Sequence, residues 1–245
     1  DWSSDVCSPI LGLLLVANRP TGARAPASPC AALARGPKLA MLANPSTPVG
    51  CMFSAAEMQQ LLAATPAHTL LVMDEAYYEY ARLAPGYPDV LALLRGRAMP
   101  WIVLRTFSKI YGLAGLRVGY AMASAEVADL MNRVRQPFNC NNLAIAGAAA
   151  ALEDEAFVDR SYALNRAGME QIVCGLKRLG YAHIPSHGNF LAFNAGDAVA
   201  LNQKLLKQGV IVRPIAGYGM PEWLRVTIGS ETENARFLEA LELAQ

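Results

Sequence analysis

Apolar and polar positions show two different patterns along the chain from residue 38 onward. Short apolar runs predict buried strands, and they occupy residues 39–43, 69–73, 101–104 and 117–123. Capping residues and apolar positions at helical spacing predict helices at residues 54–64, 89–96, 125–135 and 142–152. Strands that alternate with helices are typical of an α/β protein with a mainly parallel sheet flanked by helices.

The last third of the chain has a different pattern. A long helix is predicted over residues 154–179, followed by shorter strands and helices at 189–193, 197–208, 210–213, 224–228 and 231–244. This pattern predicts a separate, smaller α+β lobe. We therefore expect a large domain over residues 37–150 and a small C-terminal domain over residues 151–245.

Residues 1–36 differ from both regions. One apolar run at residues 12–16 predicts a strand, and the Ala/Arg/Pro-rich residues 18–36 lack a sustained apolar face. We expect this segment to be poorly defined and not native-like, as a truncation or a reading-frame scar would be. The chain does not begin with Met, and we interpret it as an N-terminally truncated fragment.

The composition excludes several classes of protein. Charged residues make up 17% of the chain and the formal net charge is +1, which gives no reason to expect a nucleic-acid partner. The longest apolar run, residues 10–17, is shorter than the ~20 residues of a transmembrane helix, so no membrane association is expected. Five cysteines without a C-x-x-C pair and three scattered histidines predict reduced thiols, no metal site and a cytoplasmic location.

Polar residues that carry chemistry follow three of the predicted strands, at residues 44–50, 74–77 and 106–109. In α/β sheets, ligands bind beyond the carboxyl ends of strands. Lys109 is a candidate amine nucleophile on such a loop, and the nearby hydroxyls with Arg117 suit a phosphate group. An amine beside a phosphate site is what pyridoxal 5'-phosphate (PLP) chemistry requires. The alternatives are a surface Lys and Arg around an ordinary loop, and an Asp74 that only ends a strand.

Six segments extend this interpretation from about residue 38 to the C-terminus. They are LANPSTPVG, VMDEAYYEY, RTFSKIYGLAGLRVGY, RQPFNCNNLA, SHGNFLAF and GVIVRPIAGYGMPEWLRVTIGSETEN. In these segments, and in their order, the chain resembles the fold-type I PLP enzymes, most closely the histidinol-phosphate aminotransferase branch of the class-II aminotransferases. The resemblance implies the PLP-transferase fold of type I, with a large PLP-binding domain that is incomplete on its N-terminal side.

The resemblance also implies roles for the residues that would bind the cofactor. Lys109 would join PLP covalently and then act as the general base in proton transfer. Asp74 would pair with the pyridine nitrogen and keep it protonated, and Tyr77 would hydrogen-bond the phenolic oxygen of the ring. The cofactor phosphate would contact Ser108, Arg117 and, as a weaker candidate, Thr106.

Three residues of the small domain correspond to substrate-binding positions of the family. Arg225 would bind the α-carboxylate of the substrate through a bidentate pair, and Arg213 would lie near its distal phosphate. Asn189 would orient the carboxylate or its arginine. The alternatives are a solvated strand end for Arg213 and a turn-capping amide for Asn189.

One cofactor-binding position departs from the family pattern. The family turn has an asparagine before its second proline, where it hydrogen-bonds the PLP ring oxygen, and here that position is Thr47. A threonine hydroxyl donates one hydrogen bond but is shorter than a carboxamide. We therefore expect altered geometry at Thr47.

The resemblance implies an activity and several partners. The expected reaction is PLP-dependent transamination between L-histidinol phosphate, a phosphorylated amino alcohol, and the 2-oxo acid 2-oxoglutarate, in histidine biosynthesis. The full-length enzyme would be a homodimer. The alternatives are an aromatic amino-acid aminotransferase, a threonine-phosphate decarboxylase, or a non-catalytic remnant of the PLP fold. We expect this truncated chain to lack the activity of the complete enzyme.

Overall fold

The computed structural model describes residues 13–15 and 27–245, which divide into two compact units. The described part of unit 1 comprises residues 13–15, 27–45 and Met52–Val158, and that of unit 2 comprises Ser46–Cys51 and Asp159–Gln245. The domain limits 37–150 and 151–245 remain predictions. Most of the segment expected to be poorly defined, residues 1–12 and 16–26, lies outside the described residues.

A mainly parallel sheet forms the centre of unit 1. Its described strands are β1 (Leu13–Leu15), β2 (Leu39–Ala43), β3 (Leu70–Asp74), β4 (Trp101–Thr106) and β5 (Gly119–Ala123). They lie in this order, with β1 to β4 parallel and β5 antiparallel to β4. The predicted α/β architecture is therefore confirmed, and β2 has the limits that its apolar run predicts.

Helices lie between these strands or follow the last of them. They are α1 (Ala27–Leu33), α2 (Ala55–Ala64), α3 (Tyr78–Ala81), α4 (Val90–Leu94), α5 (Ala125–Val134) and α6 (Asn142–Glu153). α2 begins at the predicted capping box, in which Ser54 Oγ accepts from Glu57 N while the Glu57 carboxylate accepts from Ser54 N. The sequence pattern predicts neither α1 nor α3, yet Leu33 in the last turn of α1 is fully buried.

The strand predicted at residues 117–123 is shorter in the structure. A 3-10 helix, Ala114–Leu116, ends at Arg117, whose φ of 53° is left-handed. Extended structure therefore begins only at Gly119. A Cβ on Gly119 would lie 2.7 Å from the Arg105 carbonyl oxygen, so the close approach of β5 to β4 requires glycine there.

Unit 2 is built on an antiparallel sheet. Its strands are β6 (His183–Ile184), β7 (Phe190–Asn194), β8 (Arg213–Pro214) and β9 (Trp223–Thr227), in the order β6-β7-β9-β8. The helices are α7 (Glu155–Arg178), which begins in unit 1, α8 (Ala198–Lys207) and α9 (Glu231–Leu243).

The two faces of this sheet carry different side chains, because successive residues of a strand point to opposite faces. On one face, Leu191, Phe193 and Leu224 pack in a large core with buried residues of the three helices. On the other face, Ala192 packs with Val49 from the 46–51 segment. The 46–51 segment is thereby part of unit 2.

β8 is also shorter than the strand predicted at residues 210–213. Gly209 has a φ of 76°, and Val210 N donates to Leu205 O. This arrangement closes the C-terminus of α8. Val210 therefore completes a helix end rather than starting a strand.

The long helix α7 packs closely against the region of α9. A Cβ on Gly168 would lie 2.6 Å from Ile228 Cγ2, and one on Gly175 would overlap the Leu238 side chain. Both glycines are buried. Only residues without a side chain allow this spacing.

Candidate active site

The polar residues after β2, β3 and β4 meet at one edge of the unit 1 sheet. These strands are parallel neighbours, so their carboxyl ends lie side by side. The ladder continues beyond the strands, since Asn44 N donates to Asp74 O at 2.9 Å and Glu75 N donates to Leu104 O at 2.9 Å. The structure therefore brings together the starts of the Asn44, Asp74 and Thr106 loops, as ligand sites in α/β sheets require.

Lys109, Tyr77 and Asp74 form the centre of this edge. Lys109 Nζ lies 5.1 Å from the centroid of the Tyr77 ring, and Tyr77 is buried. Burial raises the pKa of Asp74, whereas the N–H of Ala76 and the positive charge of Lys109 lower it. Asp74 as a residue is exposed in part, and its carboxyl is close enough to Lys109 for that charge to lower its pKa.

The loop after β4 carries the candidate phosphate ligands. Thr106 Oγ1 accepts a hydrogen bond from Ser108 N at 3.0 Å, and both residues are half-buried. Phe107 N donates to Val118 O, which holds Ser108 and Arg117 on neighbouring stretches of backbone. Arg117 is exposed, and its Nη1 donates to Ala114 O at 2.9 Å. The loop thus offers hydroxyls and a guanidinium, a donor set that suits a phosphate.

Unit 2 places two of the predicted substrate-binding residues opposite each other. Arg213 of β8 and Arg225 of β9 are direct partners across the ladder, so both side chains project from one face of the sheet. The guanidinium carbon of Arg225 lies 4.6 Å from the centroid of the Phe190 ring. Like charges directly opposite each other are unfavourable, and an anionic ligand would relieve that repulsion.

Asn189 and Thr47 are also in unit 2. Asn189 immediately precedes β7, and its carbonyl oxygen accepts from Ile228 N at 2.8 Å. Thr47 is exposed in the 46–51 segment, which is held by a bond from His187 N to Gly50 O at 2.9 Å. Because Val49 packs with Ala192, the strand partner of Arg225, the segment lies on the sheet face that carries the two arginines. Contacts thus assign Thr47 to unit 2 and Lys109 to unit 1.

Sequence reasoning missed two features near these residues. One is the aromatic ring of Phe190 beneath Arg225, which the alternation of β7 could have indicated. The other is a buried ion pair between Glu75 and Arg105. Its signal was a charged residue within two positions of each predicted strand end, but only the register of β3 and β4 shows that the two meet.

Two features are absent from the described residues. No helix at residues 27–245 is long and apolar enough to cross a membrane. In the same part of the chain, no group of three or more His, Cys, Asp or Glu side chains could hold a metal ion.

The fold defines the class of protein. A mainly parallel sheet with a lysine loop at a strand end is the architecture of fold-type I aminotransferases, as the sequence predicts. The chain belongs to the family "Aminotransferase class I and II", whose sequence model matches residues 28–241.

Individual relatives of the chain indicate a narrower group within this family. The chain is 61% identical over 214 residues to "Histidinol-phosphate aminotransferase 1" of Dechloromonas aromatica (strain RCB), which covers 87% of this chain and 59% of that protein. It is 53% identical over 208 residues to "Histidinol-phosphate aminotransferase" of Methylobacillus flagellatus, covering 82% of this chain and 54% of that protein. The chain therefore spans less than two thirds of the length of these relatives.

A solved structure gives the same result. The crystal structure of histidinol-phosphate aminotransferase from Sinorhizobium meliloti in complex with pyridoxal-5'-phosphate matches with a TM-score of 0.79 at 30% identity. The match covers 88% of this chain and 59% of that chain. The predicted resemblance to histidinol-phosphate aminotransferases is confirmed.

Proposed function

We propose that the enzyme to which this chain belongs is a PLP-dependent aminotransferase, and that Lys109 is its catalytic lysine. The observation that supports this most directly is the meeting of Lys109, Tyr77 and Asp74 at the carboxyl edge of the parallel sheet. Two neighbouring strand ends thus supply an amine, a phenol and a carboxylate whose pKa the amine lowers. These are the groups that a phosphorylated pyridine aldehyde requires.

The residues present fit PLP chemically. Asp74 supplies an acceptor for a protonated ring nitrogen, Tyr77 a partner for the phenolic oxygen, and Lys109 an amine for the aldehyde. Ser108, Arg117 and Thr106 would hold the phosphate, and Thr47 would contact the ring oxygen. When bound, PLP supplies an electron sink for the negative charge that develops at the substrate α-carbon.

Three side chains of this chain have separate roles in the proposed reaction. Lys109 Nζ moves the proton to and from the substrate α-carbon as general base and acid. The Asp74 carboxylate holds a proton on the ring nitrogen, which preserves the electron sink. Tyr77 packs beside Lys109 and orients it.

We propose L-histidinol phosphate and 2-oxoglutarate as the substrates. Arg225 binds the α-carboxylate of the 2-oxo acid, Arg213 binds the distal phosphate of the amino alcohol, and Asn189 orients Arg225 or its ligand. The names of the relatives support this assignment, and so do two arginines facing each other on one sheet face. Arginine suits both groups because its planar fork matches carboxylate and phosphate oxygens.

We extend the proposal to the setting of the complete enzyme, a homodimer in the cytoplasm. Cys30, Cys51, Cys140 and Cys174 are all free thiols, which fits a reducing compartment. Sedimentation of the full-length gene product would measure the oligomeric state, and a monomer at all concentrations would contradict the homodimer.

The test uses visible absorbance of the purified chain mixed with PLP. Covalent attachment to Lys109 gives a visible band that Lys109→Ala abolishes, whereas the exposed Lys177→Ala in unit 2 retains it. Turnover of L-histidinol phosphate against phenylalanine by the full-length enzyme then tests the substrate. A band that survives in Lys109→Ala overturns the catalytic assignment, and turnover of phenylalanine alone overturns the substrate assignment.

A further inference from the structure

A buried ion pair lies directly behind the candidate active site in unit 1. Arg105 Nε donates to Glu75 Oε2 at 2.9 Å, and Arg105 Nη2 lies 2.8 Å from the same oxygen. The Glu75 side chain is fully buried and that of Arg105 is 12% exposed. Burial alone lowers the pKa of Arg105, but the facing carboxylate raises it overall, so the guanidinium stays charged.

The pair joins the two strand ends that carry the proposed chemistry. Glu75 directly follows Asp74, and Arg105 precedes the Thr106–Lys109 stretch by one residue. The last paired residues of β3 and β4 are Asp74 and Leu104, so Glu75 and Arg105 continue the ladder by one step. Since side chains alternate between faces, the pair lies on the face of the sheet opposite to Asp74.

Two tyrosines extend the pair into a network. The Tyr87 hydroxyl lies 2.7 Å from Asn44 O and 3.3 Å from Glu75 Oε1, which connects the end of β2. The guanidinium carbon of Arg105 lies 3.4 Å from the centroid of the Tyr78 ring. The ends of three parallel strands are thus held by one set of side chains.

The energetics of this pair favour a positional role. A buried ion pair loses hydration that its attraction repays only partly, so replacing both partners by apolar residues is often neutral or stabilising. Stability alone therefore gives little reason for two charges at this position. What the pair adds is a side-chain contact between the ends of β3 and β4 beyond their backbone hydrogen bonds, because two Arg105 nitrogens lie within 2.9 Å of one Glu75 oxygen.

We propose that Arg105 and Glu75 are positioning residues that set the spacing between Asp74 and the Lys109 loop, with Tyr87 adding the end of β2. The inference rests on the proposed function for its catalytic meaning. Its structural content, the ordering of two strand ends, holds for the chain without cofactor.

The test combines amide hydrogen exchange without PLP and pH titration of the visible band with PLP. Glu75→Met/Arg105→Met removes both charges, and Arg105→Lys keeps the charge but loses the two-nitrogen contact. We expect at least tenfold faster exchange at residues 74–77 and 106–109 in both variants and at least tenfold weaker PLP binding. We also expect a displaced midpoint of the band titration, with α9 exchange unchanged.

A matched control is the exposed pair of unit 2, in which Arg178 Nη1 and Nη2 donate to the two Glu242 oxygens at 3.0 and 3.1 Å. Arg178→Met/Glu242→Met should leave the amide exchange rates at residues 74–77 and 106–109 and the PLP affinity within twofold of the parent chain. It should leave the pH midpoint of the visible band unchanged. If the double variant does not fold, Arg105→Lys decides alone. Unchanged amide exchange at residues 74–77 and 106–109 overturns the positioning role, even if Lys109 binds PLP. Absence of the visible band when the parent chain is mixed with PLP overturns only the proposed function.

Discussion

The two units use burial in different ways. In unit 2, one face of the sheet packs against helices α7, α8 and α9 through apolar side chains. Both of the buried carboxylates found among the described residues, Glu75 and Glu79, lie in unit 1. Both units expose large apolar side chains, such as Phe138 in unit 1 and Ile211 in unit 2. Burial in unit 2 is therefore mainly of apolar side chains, whereas unit 1 also buries carboxylates near its candidate active-site residues.

The largest expected effect tests whether the units are separate in stability. Phe193 is fully buried in unit 2 and its ring contacts Tyr181 and Phe237, so Phe193→Ala should cost about 3–5 kcal/mol of unfolding free energy. Amide hydrogen exchange should show the loss first in β7 and α9. Leu61→Ala in the unit 1 core should instead cost about 2–5 kcal/mol and act first on α2. Equal acceleration of both units by either substitution would show one cooperative unit and break the comparison.

A smaller effect tests how tightly the framework of unit 2 is packed. Alanine normally stabilises a helix over glycine by about 0.5–1 kcal/mol. At Gly168 the added Cβ would overlap Ile228, and overpacking costs about 1–3 kcal/mol. Gly168→Ala should therefore lower the urea midpoint. Gly217→Ala, where no atom lies within 4 Å of the added Cβ, is the control and should not. A Gly168→Ala chain as stable as the parent would mean that α7 and its neighbours shift apart at little cost.

The smallest effect sharpens the contrast in buried charge. Burial raises the pKa of Glu79, although Arg105 and Arg82 lower it, and Glu79 Oε2 has no hydrogen-bond partner among the described residues. Its folded pKa lies above the unfolded value, so the folded chain binds the proton more tightly. Stability from this group therefore falls as pH rises from the ordinary glutamate pKa through the raised one.

Glu79→Gln should remove that decline. Urea unfolding at several pH values should show the variant gaining stability relative to the parent above this window and converging with it below. The exposed Glu153→Gln in the same unit is the control. Parallel pH profiles for Glu79→Gln and the parent chain would mean that the Glu79 pKa is the same in the folded and unfolded chain.

Local features were predictable from sequence, and long-range ones were not. The apolar run 39–43 became β2 without change, and Ser54 with Glu57 marked the start of α2, because both depend on neighbouring residues. Asp74 and Lys109 could be placed at strand ends because parallel strands alternate with helices.

The remaining features depend on partners distant in sequence. The ion pair of Glu75 with Arg105 requires the register of β3 and β4. The left-handed backbone conformation of Arg117 ends a 3-10 helix that the sequence periodicity does not predict. The assignment of Thr47 to unit 2 depends on Val49 packing against a strand far along the chain.

The 46–51 segment has a consequence for biosynthesis. Cys51 contacts the Pro185 carbonyl across a separation of 134 positions, and a Cβ on Gly50 would overlap Ser186. At about 5–20 residues per second, the segment leaves the ribosome roughly 7–27 seconds before its docking partners. Unit 2 therefore includes a segment that is synthesised long before the strands it packs against, and a chaperone that shields Val49 during that interval would act before unit 2 is complete.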